Sequence, residues 1–195
     1  MNMKTNQTRQ HILEVGYQLI VNKGFTAVGL SELLKTAEVP KGSFYHYFKS
    51  KEQFGEALIV DYFDLYLERI EAILLGNQGT GLERVMDYFS RWLNVEEGVC
   101  NANKCAVVKL SAEVADLSEP MREALNRGAA RIVLAIAKGI EAGIDDGSIQ
   151  VQDATGTAKT LYQLWLGASL LNKLSQDGEH LHHALSTTKQ LLKAK

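Results

Sequence analysis

Proline is almost missing from this chain, and that narrows the fold more than any other feature. Pro40 and Pro120 are the only two in 195 residues. Proline breaks helix interiors by removing an amide donor and crowding the preceding turn. Long runs without it, carrying no strand-like alternation, predict an all-α chain. Ile12, Leu13, Val15, Leu19 and Ile20, with Tyr17 nearby, predict a helix over 8–22. Lys23-Gly24 closes it, glycine supplying a left-handed cap. Ser31 is read as the N-cap of a short helix, 31–37, holding Leu33, Leu34 and Ala37. Glu38-Val39-Pro40 ends that helix, because a residue before proline avoids helical geometry. A second short helix, 41–48, carries Phe44, Tyr45, Tyr47 and Phe48. Ser50 and Gln53 fit a capping box for a long helix reaching Leu75. Gly76 to Gly81 reads as the clearest linker. Helices are predicted beyond it at 82–97, 104–116, 119–144, 154–176 and 180–193. No internal repeat or low-complexity tract interrupts the series.

Composition excludes several function classes. With 46% hydrophobic and 23% charged residues the chain reads as folded. Cys100 and Cys105 are too few for a disulfide framework or a four-cysteine zinc site. No apolar run is long enough to span a bilayer, and Met1 to Arg9 does not resemble a secretory signal. The expected location is therefore a reducing cytoplasm, with no membrane partner. The net charge of −2 hides an asymmetry. Residues 1–52 hold seven Lys/Arg against four acids, and the remainder holds 14 against 19. A basic head on an acidic body suits a chain whose N-terminal part meets an anionic partner.

The two short helices form a helix-turn-helix candidate over about 29–48. In that motif the second helix enters the major groove of double-stranded DNA, its first residues facing base edges. Here it begins Lys41-Gly42-Ser43. Lys41 can neutralise a phosphate or reach guanine acceptors. Gly42 lets a backbone approach DNA closely, and Ser43 offers a hydroxyl. Tyr45, His46 and Tyr47 can reach phosphates or thymine methyls, whereas Phe44 and Phe48, four apart, point inward. Ser31 and Lys51 stand at helix starts, where backbone N–H groups favour phosphate. The alternative reading is that two short helices simply pack within a helical protein.

The run Gly24-Phe25-Thr26-Ala27-Val28-Gly29-Leu30-Ser31-Glu32-Leu33-Leu34, followed by Val39-Pro40-Lys41-Gly42-Ser43-Phe44-Tyr45-His46-Tyr47-Phe48-Lys49-Ser50-Lys51-Glu52, resembles the TetR family of one-component repressors. The resemblance covers about the first 65 residues. It implies an all-helical homodimer with an N-terminal three-helix helix-turn-helix domain and a C-terminal ligand-binding and dimerisation domain. The corresponding boundaries are 1–52 for the DNA-binding domain, a connecting helix over 51–75, and 76–195 for the regulatory part. The DNA-reading set would be Thr26, Ser31, Lys41, Gly42, Ser43, Tyr45, His46, Tyr47 and Lys51, on a near-palindromic operator. Such a regulator represses until a small effector binds. Cys105-Ala106-Val107-Val108-Lys109-Leu110-Ser111-Ala112-Glu113-Val114, Asp116-Leu117-Ser118-Glu119, Leu164-Trp165-Leu166-Gly167-Ala168 and Lys173 are similar to a branch of that family that senses reactive electrophiles and oxidants. That similarity implies Cys105 as the sensor thiol and Lys173 as its neighbouring amine. Cys100 matches none of that branch's cysteines, which leaves a single-thiol mechanism.

Cys105 can also be judged on its own. A thiol reacts as thiolate, and an adjacent cation or a helix N-terminus lowers its pKa. Lys104 precedes it, and a loop over 98–104 would place Cys105 in the first turn of the next helix. Mild oxidation would give a sulfenic acid that a nitrogen or thiol can trap. The competing reading is a small buried apolar residue. Phe89, Trp92, Val108, Tyr162 and Trp165 are candidates for lining an effector pocket, with plain core as the alternative. Leu161, Leu164, Ala168, Leu171, Leu185 and Leu192 make the last two helices candidates for a homodimer interface, unless those stripes pack only within one subunit. Glu113 and Asp116 suit surface or capping roles. His180, His182 and His183 lack ligand spacing, so no metal or cofactor is expected. No nucleotide-binding or triad motif is present, which disfavours an enzyme. A repressor with a noncovalent inducer and a structural cysteine, or a DNA-binding architectural or division protein, remains compatible.

Overall fold

Gly24 fulfils its punctuating role: it takes φ +91°, and its N–H donates to Ile20 at 2.8 Å. The computed structural model describes residues 3–96 and 99–193. Its helices are α1 (Met3–Lys23), α2 (Leu30–Thr36), α3 (Lys41–Tyr47), α4 (Lys51–Leu74), α5 (Gly81–Ser90), α6 (Ala106–Val114), α7 (Glu119–Asp145), α8 (Ala154–Ser175) and α9 (Glu179–Lys193). The all-α expectation holds, with one small departure. A pair of two-residue strands, β1 (Val95–Glu96) and β2 (Val99–Cys100), runs antiparallel with Val95 opposite Cys100.

That departure corrects the predicted helix over 82–97. The helix stops at Ser90 and tightens into a 3-10 turn, Arg91–Leu93, before β1. The predicted loop over 98–104 is β2 and a second 3-10 turn, Asn101–Lys104, with residues 97 and 98 outside the described part. The turn between α2 and α3 is also made differently. Glu38 takes the left-handed conformation at φ 53°, and the Val39 N–H reaches back to Leu34 at 3.1 Å. This is a Schellman closure, so the helix ends at Thr36, four residues before Pro40. At the start of α4, Ser50 accepts the Gln53 N–H at 3.1 Å, as a capping residue does. Gln53 reaches back to the N–H of Lys49 rather than of Ser50.

The chain forms two compact units. One holds residues up to Asp64 together with Lys109–Gly128; the other holds Leu65–Val108 and the residues from Ala129 onward. This is not the linear division at 76. Hydrogen bonds from Lys109 to Val21 and from Phe25 and Thr26 to Glu113 tie the middle segment to the N-terminal helices.

In the first unit an aromatic cluster fixes α3. Phe44 packs 5.3 Å from Phe48 and 5.7 Å from Phe54, ring centre to ring centre, and all three are buried. In the second unit Trp165 stacks on Phe89 at 5.1 Å and meets Trp92 at 5.6 Å. The Trp165 indole donates to Thr188 at 2.9 Å, which ties α8 to α9. α5 starts against the end of α7 through two glycines: a Cβ on Gly81 would lie 2.3 Å from the Gly143 Cα. No helix among the described residues is long and apolar enough to cross a membrane.

Candidate functional site

The face of α3 opposite Phe44 is polar and open. Lys41, Gly42, Tyr45 and His46 are exposed, Tyr45 by 48%, while Ser43 and Tyr47 are half-buried. The Lys41 ammonium lies 5.8 Å from the Tyr45 ring centre, a cation–π distance that still leaves the charge on the surface. His46 and Tyr47 meet nearly edge-on at 4.8 Å. Nothing lies within 4 Å of a Cβ built on Gly42, so no packing within the chain requires glycine there.

Three of the expected DNA-reading residues stand differently. Ser31 is not an N-cap. Gly29 fills that place in extended conformation, accepting the Leu33 N–H at 3.1 Å, and Ser31 lies exposed inside the first turn of α2. Thr26 is exposed, but its N–H and hydroxyl both donate to the Glu113 carboxylate. Lys51 does start α4, yet its ammonium donates to the Phe25 carbonyl at 2.7 Å and sits 4.5 Å over the Phe25 ring. Burial lowers its pKa, against the opposing pull of Glu113 and Glu52. Its charge is engaged inward.

The sequence suits Glu113 to a surface or capping role, but the structure makes it the hub of this corner. It accepts the N–H of Phe25 at 2.9 Å and of Thr26 at 2.5 Å. Burial alone would raise its pKa; the Thr26 hydroxyl, the two N–H groups and the Lys51 charge outweigh it and hold the carboxyl below its ordinary value.

In the second unit the Cys105 thiol has its own setting. Cys105 is the last residue before α6, at its N-cap rather than in its first turn. The expected thiol-lowering cation beside it is Lys104, but the cation acting on the sulfur is Lys173 of α8. Burial pushes the thiol up; the N–H groups of Val108 and Val107 and the Lys173 ammonium pull it down without overcoming burial. The thiol is therefore higher than the sequence reading implied. Lys173 is itself lowered by burial, with Cys105 opposing. α8 is anchored here because Ser169 donates to the Ala102 carbonyl at 2.6 Å, one helical turn before Lys173. Cys100 and Cys105 are both free thiols, and Cys100 donates to the Trp92 carbonyl at 3.1 Å. Tyr66 and Tyr88, with hydroxyls 3.2 Å apart, complete this neighbourhood. Nothing in their 22-residue separation announced them.

The pocket candidates Phe89, Trp92 and Trp165 pack ring on ring as filled core; Tyr162 is buried and Val108 half-buried. The dimer candidates divide. Leu161, Ala168 and Leu192 turn into the subunit's own core, which corrects their expected place at an interface. Leu171 is exposed with its neighbours Leu170 and Leu174, and Leu164 and Leu185 are half-buried. Among the described residues no group of His, Cys, Asp and Glu is arranged to hold a metal ion.

Residues 12–58 match the family model for bacterial regulatory proteins of the tetR family, and residues 81–188 match the tetracyclin repressor-like C-terminal domain. The HTH-type transcriptional repressor NemR of Escherichia coli (strain K12) is 42% identical, over 98% of this chain and 98% of its own. The HTH-type transcriptional repressor DhaR of Mycobacterium sp. (strain GP1) is 30% identical over 97% and 94%. The crystal structure of the reduced form of E. coli NemR superimposes with a TM-score of 0.87 at 44% identity, covering 95% of this chain and 97% of that one. These relatives are transcriptional repressors rather than enzymes. The chain belongs to the TetR family of bacterial regulatory proteins.

Proposed function

We propose that this chain is a DNA-binding repressor, released from a near-palindromic operator when a reactive electrophile or oxidant modifies Cys105. The observation that carries the reading is the convergence on one half-buried thiol of a helix N-terminus and a lysine amine. Both stabilise thiolate, the form that reacts. Lys41, Gly42, Ser43, Tyr45, His46 and Tyr47 form the DNA-reading set on α3. Residues 1–52 act as the reader, the helix over 51–75 as connection, and 76–195 as the regulatory and dimerising part. A homodimer through α8 and α9 presents two copies of α3 to successive major grooves. The protein works in the cytoplasm, at the nucleoid.

With hypochlorite as oxidant, the thiolate is oxidised to sulfenic acid as chloride leaves. The Lys173 amine then displaces water to form a sulfur–nitrogen bond. Burial favours this step by lowering the lysine's proton affinity. The adduct releases DNA only if the released arrangement tolerates it better than the bound one does. A second reading, a noncovalent hydrophobic effector with a structural cysteine, draws on the net rise in the Cys105 pKa.

Gel shift on the chain's own upstream DNA tests both. Retarded DNA should be freed by N-ethylmaleimide, while the Cys105→Ser variant stays bound. Release of the variant by the reagent favours the second reading, and absence of any shift overturns the DNA assignment.

A further inference from the structure

The last turn of α1 stops one hydrogen bond short. The Gly24 N–H reaches the Ile20 carbonyl at 2.8 Å, so the next helical pair would be the Phe25 N–H on the Val21 carbonyl. Instead the two groups are parted. The Lys109 ammonium donates to the Val21 carbonyl, and the Glu113 carboxylate accepts the Phe25 N–H at 2.9 Å. Lys109 and Glu113 stand four apart, on one face of α6. Between the parted groups Gly24 sits at φ +91°, a conformation open to glycine and strained for other residues. Glu113 also takes the N–H and hydroxyl of Thr26, and Lys51, at the start of α4, holds the Phe25 carbonyl at 2.7 Å. The loop leading into α2 is thus placed by α6 on one side and by the α3–α4 corner on the other. α6 is one unbroken helix that begins at the residue after Cys105, and Glu113 lies two turns along it, about 12 Å.

We propose that α6 selects between two endings of α1, and that Lys109 and Glu113 are the positioning residues through which Cys105 acts on the helix-turn-helix. This rests on modification of Cys105 being what releases DNA. In the clamped ending Gly24 is left-handed, and Lys109 and Glu113 keep Val21 and Phe25 apart. In the other, α6 is withdrawn, Gly24 turns helical, and the Phe25 N–H returns to the Val21 carbonyl. Glycine takes both conformations at little cost. The Val21 carbonyl and the Phe25 N–H have a partner in either ending, so neither is left unsatisfied by the exchange. An adduct on the half-buried Cys105 adds atoms where α6 begins, and close packing passes that displacement along the helix. The shift draws Lys109 and Glu113 off the loop. α2 and α3 then lose the position from which α3 meets DNA.

The test is the ratio of operator dissociation constants after and before N-ethylmaleimide, measured on the full-length protein by fluorescence anisotropy. Mass spectrometry places the adduct on Cys105, and Cys105→Ser controls for reaction at Cys100. The native ratio should be about fivefold or more. Glu113→Ala should weaken the unmodified protein and bring the ratio within about twofold of one, because its clamp is already open. Lys109→Met should do the same, and it carries the test if Glu113→Ala does not fold by circular dichroism. Gly24→Ala, which strains the left-handed ending and suits the helical one, should also bring the ratio toward one. A merely structural clamp weakens modified and unmodified protein alike, so an unchanged ratio in folded variants overturns this inference alone. A native Cys105 that resists the reagent, or that carries the adduct while the operator stays bound, removes the reading of Cys105 as sensor and this inference with it.

Discussion

The Glu113 carboxylate accepts the backbone N–H of Phe25 at 2.9 Å, joining residues 88 apart in sequence. The same carboxylate takes the Thr26 N–H, and Lys51 holds the Phe25 carbonyl at 2.7 Å from the other side. The chain between α1 and α2 is therefore fixed at two consecutive amides and a carbonyl by one acid and one base.

Glu113→Ala should unfold the first unit more readily, by about 1 kcal/mol. That is a charged hydrogen-bond acceptor discounted for its partial exposure. The pH dependence follows from the carboxyl's lowered pKa. A carboxyl whose folded pKa is depressed stabilises fully above its unfolded value and loses that stabilisation as pH falls through the folded one. The native chain should thus lose stability below about pH 4.3, the ordinary glutamate value. Glu113→Ala should show less of this acid-dependent loss. Thermal melts of both proteins between pH 3 and 7 check this; parallel curves would contradict it.

Some of this was legible in the residues and some was not. The spacing of Phe44 and Phe48 and the placement of Gly24 reflect local rules that act within one helical turn, and both behave as those rules require. Ser31 failed as a cap because Gly29 reaches an extended conformation without needing a capping side chain. Lys51 reads as phosphate-facing and Thr26 as part of the DNA-reading set because their partners, the Phe25 carbonyl and Glu113, lie 26 and 87 residues away, and pairing at those distances leaves no periodic trace. The Cys105 setting was half legible: the helix start is local, but the burial that governs the thiol comes from tertiary packing. The α8 stripe divides, Leu161 and Ala168 turning inward and Leu171 outward, because both faces of that helix are apolar.

Those two faces predict opposite results. Leu170, Leu171 and Leu174 are 53%, 45% and 77% exposed, whereas Leu161 is fully buried. Exposed leucines on successive turns of one helix are costly unless a partner covers them. Leu171→Glu combined with Leu174→Glu should give a folded monomer with an unchanged melting profile at high dilution. Leu161→Ala should instead lower subunit stability by about 2–5 kcal/mol, the cost of a core cavity. Analytical ultracentrifugation beside circular dichroism separates the two, and a double glutamate variant that remains dimeric would move the interface elsewhere.

The thiol's pH profile should betray the balance of forces on it. Burial dominates, so the Cys105 alkylation rate should still be climbing above about pH 8.5, the ordinary cysteine value. Lys173→Met removes a cation that favours thiolate, so its inflection should lie higher still and its rate at pH 7 should be lower. Iodoacetamide labelling across pH 6 to 10, read by mass spectrometry at Cys105, measures both. A Lys173→Met profile superimposed on the native one would show that the ammonium has no influence on the sulfur.

On the DNA side, charge and exposure make Lys41 the residue to remove first. It is exposed at the first position of α3, and its charge is not consumed by an ion pair in the way that Lys23 is by Glu32. If Lys41 contacts a phosphate, Lys41→Ala should weaken binding to operator and unrelated DNA alike, and it should reduce the salt slope by about one per site. If it reads guanine, the loss should fall on the operator alone, at about 1–3 kcal/mol per half-site. Tyr45→Ala should also weaken operator binding, since that ring is the large exposed apolar surface on the same face. Neither substitution touches the Phe44–Phe48–Phe54 cluster, so the fold and the dimer should survive. Fluorescence anisotropy on both DNAs at several salt concentrations distinguishes these outcomes, and full operator affinity in both variants would remove α3 as the reading helix.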